Sequence, residues 1–113
     1  MDDCIFCKII RGEIPSGRVL EDDDFIAIHD INPKAPVHLL VMPREHLASL
    51  NDIGCWTGER AQKLLEFTVA VARAAGIGES GYRVISNVGR DAGQEVDHLH
   101  LHVLGGERLG GLL

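Results

Sequence analysis

The chain has 113 residues, enough for one domain with a buried core and too few for two. Apolar residues make up 45% and charged residues 25%, which are ordinary globular values. The net charge is −6 and no stretch concentrates Lys or Arg, which argues against a nucleic-acid surface but leaves room for a local small-anion site.

The opening "MDDCIFCKII" is acidic with a short apolar run, so it matches neither a signal peptide nor a membrane span. Three cysteines, an odd number without an export signal, imply reduced thiols and a cytoplasmic setting. "CIFCKIIRGEIP" reads as a short helix with Ile5, Phe6 and Ile9 roughly on one face, ending near Gly12 and Pro15. "RVLEDDDFIAIHDINP" reads as two strands around an acidic turn at residues 22–24. After a loop with Pro33 and Pro36, "VHLLVMP" is a third strand that Pro43 ends. Residues 57–75 form the one long helix, with Thr57 as N-cap, Glu59 in the first turn and Gly76 as the left-handed stop. Its second half, "FTVAVARAA", is apolar nearly all round, which points to a partner subunit. "YRVISN" is a fourth strand and "VGRDAGQ" a glycine-bearing loop. "VDHLHLHVL", residues 96–104, is the last strand of an α+β domain with an antiparallel sheet spanning residues 1–113.

That last strand carries His98, His100 and His102 at period two. In a helix His100 would face away from the other two, whereas in a strand all three share one face and Leu99, Leu101 and Val103 face a core. The outer two start about 13 Å apart along the strand, so one zinc, with ligands at about 2.0–2.3 Å, does not easily take all three. At least one has another task. The glycine loop before the strand, with Asn87, Gly89 and Gly93, allows amides to approach an anion. A phosphate there would meet imidazoles able to attack phosphorus or donate hydrogen bonds. The alternative is a solvated polar face that titrates near the ordinary histidine value.

Cys4 and Cys7 form a C-x2-C pair, half of a tetrahedral zinc set. Histidine would have to complete it, and His46 after the third strand and His98 are candidates; two packed thiols or a redox pair are the alternatives. Cys55 stands alone. Asp30 either caps a turn or accepts ribose hydroxyls. Ile5, Phe6, Ile9, Ile28, Ile31 and Leu40 suit a base pocket or simply a core.

"HLHLHVL" fits His-φ-His-φ-His-φ-φ, and the chain resembles the histidine triad (HIT) family, in particular its Hint branch of the bacterial zinc-binding type. The likeness runs through "KIIRGEIPS", "FIAIHDINPKAPVHLLVMPREH", "GYRVISNVG" and "GQEVDHLHLHVLGG". It implies a HIT-like fold with a five-stranded antiparallel sheet, one short and one long helix, and a homodimer whose sheets join into one. It also implies hydrolysis of purine nucleoside phosphoramidates and related nucleotidylyl compounds to nucleoside monophosphates through a nucleotidylyl-histidine. Dinucleoside polyphosphate hydrolysis, or nucleotide binding with incidental hydrolysis, are the rival readings. By position, His100 resembles the nucleophile and His102 the phosphate-binding histidine, with Asn87 and the backbone near Gly93 and Gln94 assisting. His38 resembles a supporting histidine. Asp30 matches the ribose carboxylate, and Ile31 and Phe6 match base-pocket residues. Cys4, Cys7, His46 and His98 match the ligands of a structural zinc, and no catalytic metal is required. Three departures bear on selectivity: Glu95 where the eukaryotic branch has a serine near the leaving group, Asp97 where an aromatic or apolar residue is usual, and the tail "GGERLGGLL", which lacks a Trp-Pro ending.

Overall fold

The computed structural model describes residues 3–111. The chain ends, including the last two residues of the tail, lie outside the described residues. Helix α1 spans Ile5–Ile10 and α2 Gly58–Ala74; the strands are β1 Arg18–Glu21, β2 Phe25–His29, β3 Val37–Pro43, β4 Tyr82–Ile85 and β5 Leu101–Gly105. They form one antiparallel sheet in the order β1-β2-β3-β5-β4, so β5 enters between β3 and the edge strand β4.

Local chemistry sets the boundaries. Asp22 Oδ1 accepts from the backbone N–H of both Asp24 and Phe25 at 2.8 Å, closing the acidic turn between β1 and β2. Thr57 caps α2 by accepting from Arg60 N–H at 3.1 Å, and Gly76, at φ 80°, supplies the left-handed stop. Both ends of α2 lie where the sequence puts them. A 3₁₀ turn at Leu50–Cys55, begun by Ser49, was not expected.

β2 and β3 are buried on both faces, because helices cover both. Phe25, Ala27, Leu39, Val41, Leu101 and Val103 pack beneath α2 against Leu64, Phe67 and Val71. The alternate residues Ile26, Ile28, Leu40 and Met42 pack beneath α1 against Phe6 and Ile9. Each large side chain so buried contributes about 1.5–3 kcal/mol. The second half of α2 is not enclosed within this chain: Leu65 and Val69, one turn apart, are exposed.

The final strand is shorter than the histidine pattern implies. Its ladder pairs Val37 with Gly105 through Val41 with Leu101 and starts there, so only His102 lies within it. Continuing the register would set Leu99 opposite Pro43, which has no N–H to give. Leu99 N–H donates instead to Leu47 O at 2.6 Å. His98 and His100 keep the expected face outside the sheet, both edge-on to Phe6, with His98 in a bend whose N–H donates to Val96 O at 2.9 Å.

Candidate functional site

The α1 side of the sheet carries two clusters of titratable groups. In the first, Cys4 is the N-cap of α1, its sulfur accepting from Cys7 N–H at 3.4 Å. The capping role brings the two thiols together over His98, whose Nδ1 lies 3.5 Å from each, while Cys7 Sγ lies 3.3 Å from His46 Nδ1. The four ligand atoms fall within 4.8 Å of one another. A tetrahedral zinc with ligands at about 2.0–2.3 Å sets sulfur and nitrogen about 3.6 Å apart, close to these separations. His98 Nε2–H donates to Pro43 O at 2.9 Å, which leaves the Nδ1 lone pair facing the sulfurs. Burial is the main force pushing the Cys7 thiol above its ordinary value, with Cys4 adding to it. Burial likewise holds His98 below the usual histidine value, against the bond to Pro43. The donor set therefore fits a zinc-type ion. Outside it a cavity of about 380 Å³ is bordered by Asp3, His46, Glu95 and Asp97.

The second cluster borders a cavity of about 670 Å³. Here each imidazole has one nitrogen already assigned. His100 Nδ1–H donates to His98 O at 2.7 Å, so its Nε2 is the unprotonated atom of the neutral ring. Lys34 N–H donates to His38 Nδ1 at 3.0 Å, so the neutral His38 ring carries its proton on Nε2. That proton is shared between His102 Nδ1, at 2.9 Å, and Asp30 Oδ2, at 3.3 Å. His102 is left with Nε2–H as a donor. The assignment also weighs against an ion held by Asp30, His38 and His102, since the His38 nitrogen they share is protonated. Burial holds both His38 and His102 below the ordinary histidine value; Asp30 opposes this for both and Glu95 for His102.

Asp30 caps a turn, Oδ1 accepting from Asn32 N–H at 2.8 Å, while Oδ2 faces His38 on the border of the cavity. Phe6 stands edge-on to His100 at 5.0 Å, and with Ile9, Ile28 and Leu40 it makes the apolar wall. Ile31 lies at the rim, 91% exposed. Asn87, Gly93, Gln94 and Glu95 line the opposite side. Within that loop the amides of Gly93 and Gln94 already donate to Arg90 O and Gly89 O, at 3.0 and 3.1 Å. The Gln94 side chain braces the loop, accepting from Gly89 N–H and donating to Ala48 O and Val96 O. Gly89 and Gly93, at φ 78° and 77°, permit this tight path.

The chain matches the HIT domain family over residues 11–109. The chain belongs to the HIT family. It is 42% identical over 112 residues to the purine nucleoside phosphoramidase of Escherichia coli, covering 99% of this chain and 94% of that protein. A HIT-like protein of Azospirillum brasilense is 46% identical over 110 residues, 96% of this chain and 90% of the relative. Among solved structures, a histidine triad protein from Clostridium difficile superposes with a TM-score of 0.93 at 45% identity, covering 100% of this chain and 98% of that one. A HIT family hydrolase from Clostridium thermocellum gives 0.90 at 45%, covering 100% and 99%.

Within this HIT site, sequence reasoning missed the backbone groups. Lys34 N–H and the carbonyls of Pro43 and His98 decide which nitrogen of each ring carries a proton, and no side-chain pattern announces them.

Proposed function

We propose that this chain hydrolyses purine nucleoside phosphoramidates and related nucleotidylyl compounds through a nucleotidyl-His100 intermediate. The observation that carries the reading is the 2.7 Å bond from His100 Nδ1–H to His98 O, which leaves Nε2 as a lone pair on a ring lining the cavity. Similarity to a phosphoramidase and to a HIT family hydrolase supports it. His100 Nε2 attacks phosphorus in line, the phosphorus–nitrogen bond of the substrate breaks, and the leaving amine takes a proton from water. Water then attacks the same phosphorus, the bond to Nε2 breaks, and a proton returns to solvent with the nucleoside monophosphate. His102 Nε2–H donates to a non-bridging oxygen, and Asp30 accepts from the ribose hydroxyls. Phe6 and Ile31 flank the base, and the Asn87 amide and the loop at Gly93–Glu95 face the phosphate. No step calls on a metal at the phosphate. A zinc-type ion held by Cys4, Cys7, His46 and His98 would tie α1 to the chain after β3 and before β5.

The same reading includes a cytoplasmic homodimer. Exposed Leu65 and Val69 on α2, and Val84 on the α2 side of the open edge strand β4, are the apolar positions that such a dimer would cover. Hydrolysis assays across nucleoside phosphoramidates and dinucleoside polyphosphates test the substrate class. Faster turnover of the phosphoramidates is expected. Preference for polyphosphates, or nucleotide binding without turnover of either, would replace the reading.

A further inference from the structure

His100 takes its orientation from a residue that the sheet does not hold. The ladder of β5 begins at Leu101, so neither His100 nor His98 has a strand partner. The His98 carbonyl that accepts from His100 Nδ1–H therefore needs another anchor. Besides the turn bond from His98 N–H to Val96 O at 2.9 Å, it has two, one within the cysteine–histidine cluster and one directly beside it. One is the ring of His98 itself, fully buried, with Nε2–H on Pro43 O and Nδ1 between the sulfurs of Cys4 and Cys7. The other is the bond from Leu99 N–H to Leu47 O, and Leu47 directly follows His46.

Without an ion, the sulfurs offer the His98 ring only weak hydrogen bonds at 3.5 Å. A bound ion replaces them with ligand bonds that fix ring, backbone and carbonyl together. The position of that carbonyl matters chemically. A neutral imidazole with its proton on Nε2 keeps its lone pair on Nδ1, the nitrogen turned to His98 O, and an unconstrained histidine favours that form. Holding the proton on Nδ1 is the task of the His98 carbonyl.

The geometry points to His98 as a positioning residue: an ion held by Cys4, Cys7, His46 and His98 fixes the tautomer and aim of His100 without touching substrate. The inference rests on the proposal that His100 is the nucleophile. It gives the ion a role beyond holding α1 in place, because the cluster and the nucleophile share one residue.

The test compares zinc-loaded protein, labelled with ¹⁵N in its histidines, with the same protein stripped by a chelator. Long-range proton–nitrogen spectra read the two ring nitrogens of His100, and single-turnover nucleotidylation by an adenosine phosphoramidate and affinity for adenosine monophosphate are measured on the same samples. The loaded protein should show His100 with its proton on Nδ1 alone. In the stripped protein the Nε2–H form should appear and nucleotidylation should slow by about tenfold to a hundredfold, while adenosine monophosphate affinity stays within about threefold. His98→Cys keeps four donors but loses the Nε2–H bond to Pro43 O and shortens the tether from ion to backbone, which draws the carbonyl away from His100; it should show the same mixed tautomer and the same loss. If stripping unfolds the chain, that variant decides alone. A single Nδ1–H tautomer with an unchanged rate, in the stripped protein or in zinc-loaded His98→Cys, overturns the inference and leaves the nucleophile untouched. A zinc-loaded wild type that forms no adduct on His100 removes the reading beneath it.

Discussion

The two faces of the sheet come from the same strands and end in opposite conditions. Beneath α2, Phe25, Leu39, Val41, Val71 and Val103 form a closed apolar layer. Beneath α1, the alternate positions begin as an equally apolar layer around Ile26 and Met42. Toward β5 that layer gives way to His38, His100 and His102 around an open cavity. Every histidine borders this cavity or belongs to the cysteine cluster at its edge. Period-two alternation lets one five-residue stretch serve both ends: Leu99 and Leu101 enter the closed layer, while His100 and His102 line the cavity and His98 joins the cysteine cluster. A closed face can therefore hold the imidazoles in place without lending them any chemistry.

Substitutions on the two faces should separate stability from activity. Val71→Glu sets an unpaired carboxylate at a fully buried position of the closed face, and it should cost about 3 kcal/mol or more, read as a large fall in the urea midpoint. A midpoint near that of the wild type would mean that the α2 face is not closed. His102→Ala on the open face should instead slow nucleotidylation by about tenfold to a hundredfold without moving the adduct. A rate unchanged by the substitution would leave the Nε2–H donor without a role.

Acid should expose the contrast as well. His38, His98 and His102 are held below the ordinary histidine value, chiefly by burial. Below about pH 6.5 the unfolded chain takes up protons that the folded chain refuses, so it binds more of them and stability rises with pH in that window. Their contribution is complete above the ordinary value and is lost as pH falls through the lower folded values. The urea midpoint should therefore be lower at about pH 5 than at about pH 7.5, and His102→Asn should flatten the difference. An equal midpoint at both pH values would contradict the burial argument. The smallest effect on the fold should come from Leu65→Glu at an exposed position, changing monomer stability by no more than about 0.5 kcal/mol while weakening the proposed dimer. Sedimentation of the wild type as a monomer at micromolar concentration would refute that dimer.

What the sequence makes legible depends on whether the signal lies in side chains. Helix α2 is bounded by Thr57 and Gly76, whose side-chain oxygen and lack of a Cβ are local facts, and β3 ends at Pro43 for an equally local reason. The histidine strand is overextended in the sequence because period two continues through His98 and His100. Its true start depends on the absent N–H of Pro43 across the sheet, which is visible only once the register is known. Geometry along one strand argues against a single ion shared by the three histidines, but does not say which one leaves the set. The convergence of Cys4 and His46 on His98 from distant parts of the chain is what sets that residue apart. The proton positions of His38 and His100 are the least legible, because Lys34 N–H and His98 O are groups that every residue possesses.

The assignment of His100 as nucleophile is tested most directly by rapid-quench mass spectrometry with an adenosine phosphoramidate. Wild-type protein should gain one adenylate, mapped within residues 91–108 to His100 and held by Nε2, the nitrogen not bonded to His98 O. His100→Ala should form no adduct while still binding adenosine monophosphate. An adduct that persists in His100→Ala, or that maps to His102, would contradict the account.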